Sequence, residues 1–225
     1  MIDSLVGVTF FNSNVDRDIL KVFSITTYVF YSHQPPKNLF DPVYLESTSN
    51  YEELHLKTVL LQSRLVKFFP WRYINDYDFF VYHDYRIDVH KIFFKELQIN
   101  QFPLFLKHRE GGLYIHELLR NFERGRIGAN VFPYVNRLIN GRFDLPIMEN
   151  GVVCLQKSNY MDVDLFLENF EVIKRDQLVV PVLLNEKFTY FKYNLNHRRY
   201  FHVNSKKFKP SNLFFRFLSF IYARL

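Results

Sequence analysis

The sequence contains only one cysteine, and several common catalytic motifs are missing from it. Cys154, inside an apolar run, excludes an intramolecular disulfide and a zinc site built on cysteines. There is no Gly-x-Gly-x-x-Gly, no Walker-type loop and no Gly-x-Ser-x-Gly, which argues against Rossmann oxidoreductases, P-loop enzymes and serine hydrolases. His116 and Glu117 are not followed by a second histidine at helical spacing, so a metalloprotease is also excluded.

Long hydrophobic runs are absent too. No apolar stretch is long enough to span a membrane. Residues 1–4 do not start a basic region followed by an apolar region, as a signal peptide would. A lone thiol suits a reducing compartment. We therefore expect a cytoplasmic protein.

Positive charge exceeds negative charge, but it is not concentrated. The chain has 29 Lys and Arg against 23 Asp and Glu, a formal charge of +6 and a pI near 9.2, which favours an anionic partner. The basic residues stand as singles or pairs, such as Arg198-Arg199 and Lys206-Lys207. Without a dense basic patch, a nucleic-acid partner is not expected.

The apolar content is ample for a core, at 48% of 225 residues with 26 Phe and 15 Tyr. Short apolar runs at residues 5–11 and 28–31, with helical spacing over 15–24 between them, predict a β-α-β start. The predicted fold class is α/β: a single domain over residues 1–205 with a mostly parallel central sheet flanked by helices. Residues 206–225 predict a basic and aromatic C-terminal helix, which either packs on the domain or docks at a membrane interface.

The remaining elements are predicted from periodicity and from Gly, Pro and cap residues. Helices are expected over residues 51–69, 89–98, 114–124, 131–140 and 161–172, and strands over 79–82, 103–106 and 152–155. Residues 145–151 are interpreted as a turn-rich lead into the last of these strands. The apolar run 178–184 is left open between helix and strand.

One strand ends in several charged side chains. The apolar run 79–82 is followed by Asp84, Arg86 and Asp88. In an open α/β sheet, ligands bind beyond the carboxyl ends of the strands. Asp76-Tyr77-Asp78 spells an Asp-x-Asp motif, but it precedes the strand and so lies at its other end. The alternative is a strand followed by an ordinary solvated turn.

A second polar group lies between residues 108 and 117. Arg109 suits a phosphate through its planar guanidinium, with His108 beside it and Glu117 at a helix start. A surface turn of ion pairs explains the same residues equally well.

An ordered set of motifs resembles a known family. The motifs are Arg64-x-x-Lys67-x-x-Pro70, the run from Tyr77 to Asp84, Lys107-His108-Arg109 with Tyr114 and Glu117, the run from Leu145 to Val153, and Arg175-Asp176-Gln177-Leu178. Together they resemble a family of glycosyltransferase-like proteins, once catalogued only as a domain of unknown function, with plant Golgi and bacterial capsule-locus members. The resemblance covers about residues 60–185, and its most specific parts are Arg-Asp-Gln-Leu and Pro-x-x-Glu-Asn-Gly.

The resemblance implies a GT-A-type fold and a nucleotide-sugar donor, with a glycan or lipid-linked acceptor. It also implies a divalent metal, Mn²⁺ or Mg²⁺, at the diphosphate. The expected donor-binding residues are Arg64, Arg86, His108, Arg109, Glu117, Glu149 and Asn150. Asp176 and Gln177 are similar to the Asp-Gln pair that retaining GT-A enzymes place beneath the anomeric carbon, although Asp176 also suits a helix N-cap.

The chain departs from that family at the metal turn. Asp84-Tyr85-Arg86 stands where the family has an Asp-Ala-Asn type of turn, so a potential ligand is replaced by a cation. Either Asp84 holds the metal with Asp88 or with a late histidine, for which His197 and His202 are the candidates, or Arg86 itself neutralises the diphosphate. The sequence therefore predicts a glycosyltransferase, with a non-catalytic carbohydrate- or polyanion-binding domain as the alternative.

Overall fold

The fold was analysed on a computed structural model, which describes residues 2, 4–12, 21–40, 42–108, 112–158, 161–184, 187–191 and 193–203. The described residues group into two compact units. The first draws on residues 1–106, 151–160 and 189–204, and the second on residues 107–150 and 161–188. The predicted domain boundary at residue 205 stays a prediction.

Eleven strands lie within the part of the chain that the structure describes. They are β1 (Leu5–Phe11), β2 (Lys21–Val22), β3 (Thr27–Tyr31), β4 (Leu39–Phe40), β5 (Val43–Ser47), β6 (Phe79–His83), β7 (Ile87–Val89), β8 (Leu104–Lys107), β9 (Met148–Gln156), β10 (Thr189–Phe191) and β11 (Phe201–Val203).

Seven of these strands form one sheet in the order β10-β8-β9-β6-β1-β3-β5. The pairs β6 with β1, β1 with β3, β3 with β5 and β10 with β8 are parallel, whereas β9 runs antiparallel to β6. Strand β6 is buried along its whole length, as expected of a strand covered on both faces. The predicted α/β class with a mostly parallel central sheet is confirmed.

Seven α-helices accompany the strands in the described ranges. They are α1 (Glu52–His55), α2 (Val59–Phe68), α3 (Lys91–Glu96), α4 (Tyr114–Glu123), α5 (Val131–Ile139), α6 (Val163–Ile173) and α7 (Asp176–Leu183). Helix α2 packs on β1 and buries Leu65, Val66 and Phe68. Gly125 and Gly141, which follow α4 and α5, have φ of +63° and +73°, the left-handed conformation that glycine adopts without strain at helix ends.

The N-terminal prediction is confirmed for its strands but not for all of its helix. Strands β1 and β3 are parallel neighbours, with Gly7 opposite Thr27. Residues 13–20 lie outside the described residues. Lys21 and Val22 form β2 against β4, so the predicted helix does not continue to Ser24. The physical reason is burial of Lys21, which is 1% exposed and faces the interior instead of the solvent side of a helix.

The long helix predicted over residues 51–69 is two helices. Helix α1 ends at His55, and the extended backbone of Thr58 (φ −61°, ψ 150°) begins α2 by accepting a hydrogen bond from the Leu61 N–H. Thr58 therefore acts as an N-cap in the middle of the apolar stripe. Helix α2 ends before Pro70, as predicted.

Two further segments differ from the sequence expectation. Strand β9 begins at Met148, so the segment expected to be turn-rich already belongs to the sheet by Glu149. The undecided apolar run is helical, because α7 continues to Leu183 with Pro181 inside it. The predicted C-terminal helix lies outside the described residues. No described helix is long and apolar enough to cross a membrane.

The first unit has an aromatic core that should carry much of its stability. Phe93 is 0% exposed, and its ring centroid lies 5.0 to 5.6 Å from those of Phe94, Phe191 and Phe201. We expect Phe93→Ala to lower the free energy of unfolding by about 3–5 kcal/mol, because it leaves a cavity among rings that cannot close it. Phe40→Ala is the matched control, since Phe40 is 47% exposed. Urea unfolding measures both, and equal losses would contradict this placement of the core.

Candidate functional site

The carboxyl end of β6 carries a half-exposed carboxylate. Asp84 follows the buried strand directly, and its side chain is 46% exposed. Its N–H donates to the Gly151 carbonyl at 2.8 Å, and its own carbonyl accepts from the Ile87 N–H at 2.8 Å, which closes a tight turn. The strand therefore delivers Asp84 to the sheet edge at which α/β proteins bind ligands.

Gly151 allows this turn to come close to β9. A Cβ at position 151 would lie 2.7 Å from Ile87 Cδ1 and 2.9 Å from Leu195 Cδ1, so these two side-chain ends would have to shift. The same point lies 3.7 Å from Asp84 Oδ2. The glycine therefore leaves room for the ends of the Ile87 and Leu195 side chains next to the carboxylate, and a larger residue would displace them.

A buried lysine lies beside Asp84. Lys67, in the last turn of α2, is 2% exposed, and its Nζ is 3.6 Å from Asp84 Oδ1. The ammonium also lies over the Tyr82 ring, 4.9 Å from its centroid. A buried ammonium needs compensation by a counter-charge or ring face, and Asp84 with Tyr82 supplies both.

A second buried lysine supports the turn from beneath. Lys21 Nζ donates to the carbonyl of Tyr85 at 2.7 Å and to that of Ile87 at 3.1 Å, and lies 3.8 Å from Asp88 Oδ1. Desolvation lowers the pKa of Lys21 to about 8, although the negative charges of Asp88 and Asp84 oppose that shift. Lys21 thus holds the backbone of the turn at the cost of a buried charge.

His83 completes the buried side of the turn. Its Nδ1 is 3.5 Å from Lys21 Nζ, and its ring centroid lies 5.8 Å from that of Phe23. Burial and then the charge of Lys21 keep the pKa of His83 well below its ordinary value. The imidazole is therefore neutral and has a packing role here.

The predicted metal ligands do not assemble into a centre in this part of the chain. His202 lies opposite Asp88 where β11 pairs with β7, but His197 stacks on the Tyr193 ring at 4.0 Å between centroids. Among the described residues, no group of three or more His, Cys, Asp or Glu side chains could hold a metal ion.

Charge gives the physical reason. Asp84 and Asp88 each have a buried ammonium within 4 Å, from Lys67 and Lys21. A divalent ion on either carboxylate would lie near that ammonium, and the repulsion at about 5 Å is on the order of several kcal/mol even at a dielectric constant of about 20. Among the described residues these charges therefore disfavour a metal ion at this turn, and the ligand set of Asp84, Asp88, His197 and His202 stays a prediction.

Asp76 and Asp78 lie at the amino end of β6. Both are exposed, and six residues of extended chain put Asp78 about 20 Å from Asp84 along the strand. The sequence predicted that the Asp-x-Asp motif and Asp84 lie at opposite ends of the strand, and the position of β6 agrees with this.

The second unit buries a pair of polar side chains from the predicted set. Asn150 is 4% exposed and Asp176 7% exposed, and Asn150 Nδ2 donates to Asp176 Oδ2 at 3.3 Å. Asp176 is the first residue of α7 rather than its N-cap, which is Arg175. Gln177 Nε2 lies 3.5 Å from the Met148 carbonyl. Asn150 Oδ1 is buried and accepts no hydrogen bond from the described residues.

Glu117 is also buried in the second unit. Asn121 donates to it at 2.7 Å and Arg120 at 3.3 Å, and His108 Nε2 lies 3.9 Å away. Burial raises the pKa of the Glu117 carboxyl, against the opposing charge of Arg120 and the Asn121 hydrogen bond. His108 and Glu117 thus lie within ion-pair distance of each other, and their part in donor binding stays a prediction.

The remaining predicted donor-binding residues belong to different elements of the chain. Arg64, on α2, donates to the Ser63 hydroxyl at 3.1 Å. Arg86 is exposed on the turn, with its guanidinium carbon 5.1 Å from the Tyr85 ring centroid. Glu149 is half-buried in β9, and Arg109 lies outside the described residues.

Sequence reasoning missed the two buried lysines. Lys67 is part of the motif Arg64-x-x-Lys67-x-x-Pro70, but nothing in the sequence indicates that its side chain is buried. Lys21 carried no signal, because its burial depends on carbonyls more than 60 residues away in the sequence.

Comparisons with known proteins give a loose structural likeness. No protein-family model and no curated protein matches the chain. Among solved structures, it is similar to an active-site mutant of LgtC, with a TM-score of 0.47 and 11% identity over 82% of this chain and 72% of that one. It is also similar to galactosyltransferase LgtC in complex with donor and acceptor sugar analogues, with a TM-score of 0.43 and 12% identity over the same shares. Both scores are low, so the functional argument below rests on the residues of this chain.

The buried charge of Lys21 predicts a measurable pH dependence. Its folded pKa of about 8 lies below the ordinary 10.5, so the unfolded chain binds more protons between these values and stability rises with pH there. Relative to Lys21→Met, the unfolding free energy of the wild-type protein should rise by on the order of 1–2 kcal/mol from about pH 8 to about pH 9.5.

The comparison with Lys21→Met removes a competing effect. Burial raises the pKa of the Cys154 thiol, so that thiol lowers stability as pH rises through its unfolded pKa, equally in both proteins. Guanidinium unfolding at several pH values measures the difference. A difference that stays constant with pH would show that Lys21 is not a desolvated ammonium.

Proposed function

We propose that this protein is a glycosyltransferase that transfers a sugar from a nucleotide-sugar donor to a glycan or other acceptor. The observation that carries the proposal is the half-exposed Asp84 at the carboxyl end of β6, in a mostly parallel sheet. That edge is where open α/β sheets bind nucleotides. The ordered motifs that resemble glycosyltransferase-like proteins include the same segment.

The polar pair of the second unit supports the same reaction. A buried carboxylate and amide such as Asp176 and Asn150 suit the hydroxyl groups of a sugar, which both donate and accept hydrogen bonds. We assign Asp176 to the sugar hydroxyls and Gln177 to the neighbourhood of the reacting carbon. The assignment rests on the Arg-Asp-Gln-Leu resemblance and on the burial of Asp176.

In the proposed reaction, the bond between the anomeric carbon and the donor diphosphate breaks, and an acceptor oxygen forms the new bond to that carbon. The nucleoside diphosphate leaves with concentrated negative charge. Arg64, Arg86, Arg109 and His108 are the proposed phosphate contacts, with Glu117, Glu149 and Asn150 in donor binding. The net charge of +6 favours such a ligand. A lipid-linked acceptor, met through residues 206–225, belongs to the same proposal.

A non-catalytic carbohydrate- or polyanion-binding domain is the second candidate. The observation that favours it is the pairing of Asp84 and Asp88 with buried lysines, because these carboxylates do not form a metal centre with other described residues. Such a domain would bind a sugar or an anion without cleaving a nucleotide sugar.

A panel of nucleotide sugars separates the two candidates. We expect at least one donor to raise the melting temperature, because a ligand at about a hundred times its dissociation constant adds roughly 2.7 kcal/mol to stability. The same donor should be split slowly to nucleoside diphosphate, as followed by chromatography. The panel is measured both with Mn²⁺ or Mg²⁺ and with EDTA. No shift with any donor under either condition would reject the glycosyltransferase proposal, and a shift with no cleavage would favour the binding domain.

Asp176→Asn tests the proposed role of the second unit. The substitution keeps the size of the side chain and removes its charge, so we expect sugar transfer or donor cleavage to fall by about 10-fold or more, in line with a lost hydrogen bond to a charged group. Donor affinity should change by less than about 3-fold, since the proposed phosphate contacts are untouched.

Asp164→Asn is the matched control, because Asp164 is exposed on α6. Thermal melts of both variants show whether either loses structure. Full activity in a folded Asp176→Asn protein would contradict the assignment.

A further inference from the structure

We infer that the protein binds the diphosphate of its donor without a divalent metal, with Lys67 compensating the charge of Asp84 from the protein side and Arg86 as the phosphate contact. This inference rests on the proposed function and concerns the same sheet edge. All of the residues that carry it belong to the first unit.

The first step is the pairing of Asp84 with Lys67. Lys67 Nζ lies 3.6 Å from Asp84 Oδ1, and the lysine side chain is 3% exposed whereas the aspartate side chain is 46% exposed. The ammonium therefore lies on the protein side of the carboxylate, and the carboxylate lies between it and solvent. A cation that comes from solvent would meet a carboxylate whose charge is already compensated.

The second step is that the next carboxylate along the turn is compensated in the same way. Asp88 Oδ1 lies 3.8 Å from the Nζ of Lys21, which is 1% exposed. Lys21 also donates to the carbonyls of Tyr85 and Ile87, two oxygens that could otherwise face a cation. Both the acidic side chains and part of the backbone of this turn are therefore engaged by ammonium groups.

The third step is the position of Arg86. It is exposed two residues after Asp84, and its guanidinium lies 5.1 Å from the centroid of the half-buried Tyr85 ring. That ring is itself 5.4 Å from the Phe11 ring, so the aromatic surface beneath the guanidinium is fixed. A guanidinium presents paired N–H donors that match two phosphate oxygens. Arg86 can thus supply at the surface the positive charge that a metal would bring.

Together these contacts give a chemical identity for the ligand and a mode of binding. A nucleoside diphosphate suits an exposed guanidinium next to an ion pair, because its diphosphate is anionic and its oxygens accept hydrogen bonds from the paired N–H groups. Asp84 is then a neighbour that repels phosphate and orients Lys67. In a metal site it would instead be an essential ligand. These two roles predict opposite effects of the same substitution.

Calorimetry on the wild-type protein tests the inference. The ligands are UDP, GDP, ADP, CDP and inorganic pyrophosphate, each measured in EDTA and in Mn²⁺. We expect at least one nucleoside diphosphate to bind in EDTA, and Mn²⁺ to change its dissociation constant by less than about 3-fold. Binding that is lost in EDTA and restored by Mn²⁺ would overturn the inference while the proposed function stands. No binding of any nucleotide or nucleotide sugar in either condition would reject the proposed function, and the inference with it.

Substitutions at Arg86 and at Asp84, each with a matched control, test whether nucleoside diphosphate binding weakens or tightens as the inference predicts. Arg86→Gln should weaken binding of the same nucleoside diphosphate by about 10-fold or more in EDTA, since it removes a charge-assisted contact to phosphate. Arg72→Gln, at an exposed arginine paired with Glu53 at 3.1 Å, should leave it unchanged. An Arg86→Gln protein that binds as well as wild type would overturn the assignment of Arg86.

Asp84→Asn should tighten binding in EDTA, because a negative charge near the phosphates is removed. Asp78→Asn, at the opposite end of β6, is the control and should have no effect. A loss of about 10-fold or more in Mn²⁺-supported binding by Asp84→Asn, with a normal melting curve, would show that Asp84 is a metal ligand and would contradict the inference.

Discussion

The buried ammonium of Lys21 is the contact on which the geometry of the candidate site depends. It donates to the carbonyls of Tyr85 and Ile87, which follow Asp84 in the turn after β6. Without that donor, each carbonyl would carry the cost of an unmade hydrogen bond, about 1–3 kcal/mol. Because the turn is held from the inside, Asp84 and Arg86 are directed outward at the sheet edge. The lowered pKa of Lys21 reflects the free energy that burial of this charge takes from folding.

Lys67 places a second charge next to the same turn, and the two lysines change what the acidic residues can do. A carboxylate that faces water with no cation near it is a natural metal ligand, whereas one that already lies 3.6 Å from a buried ammonium is part of an ion pair. Gly151 brings β9 against this turn, since a Cβ there would collide with Ile87 and Leu195. The candidate site is thus built from packing and charge compensation together, and its exposed cation is Arg86.

The sequence allowed five of the seven strands of the large sheet to be predicted, because buried strands are short apolar runs, whereas β5 and β10 were missed. Residues 5–11 correspond to β1 without any shift, and the acidic end of β6 followed from strand direction alone. The break at Thr58 was missed because the apolar stripe continues through it, and only the extended backbone of that residue reveals the cap. The metal set was predicted from residue types in a resemblance, but residue types do not show which cation lies beneath a carboxylate. Burial of Lys21 and Lys67 depends on tertiary contacts, so no local pattern announced it.

The most direct test of the central claim is a crystal structure of the protein with its tightest-binding nucleoside diphosphate, grown in the presence of Mn²⁺ and measured at an X-ray energy where manganese scatters anomalously. The account predicts a diphosphate at the carboxyl end of β6 within hydrogen-bond distance of Arg86, with Lys67 still beside Asp84 and no anomalous peak at that carboxylate. A manganese peak between Asp84 and the phosphates, or a diphosphate bound beside Asp76 and Asp78, would contradict it.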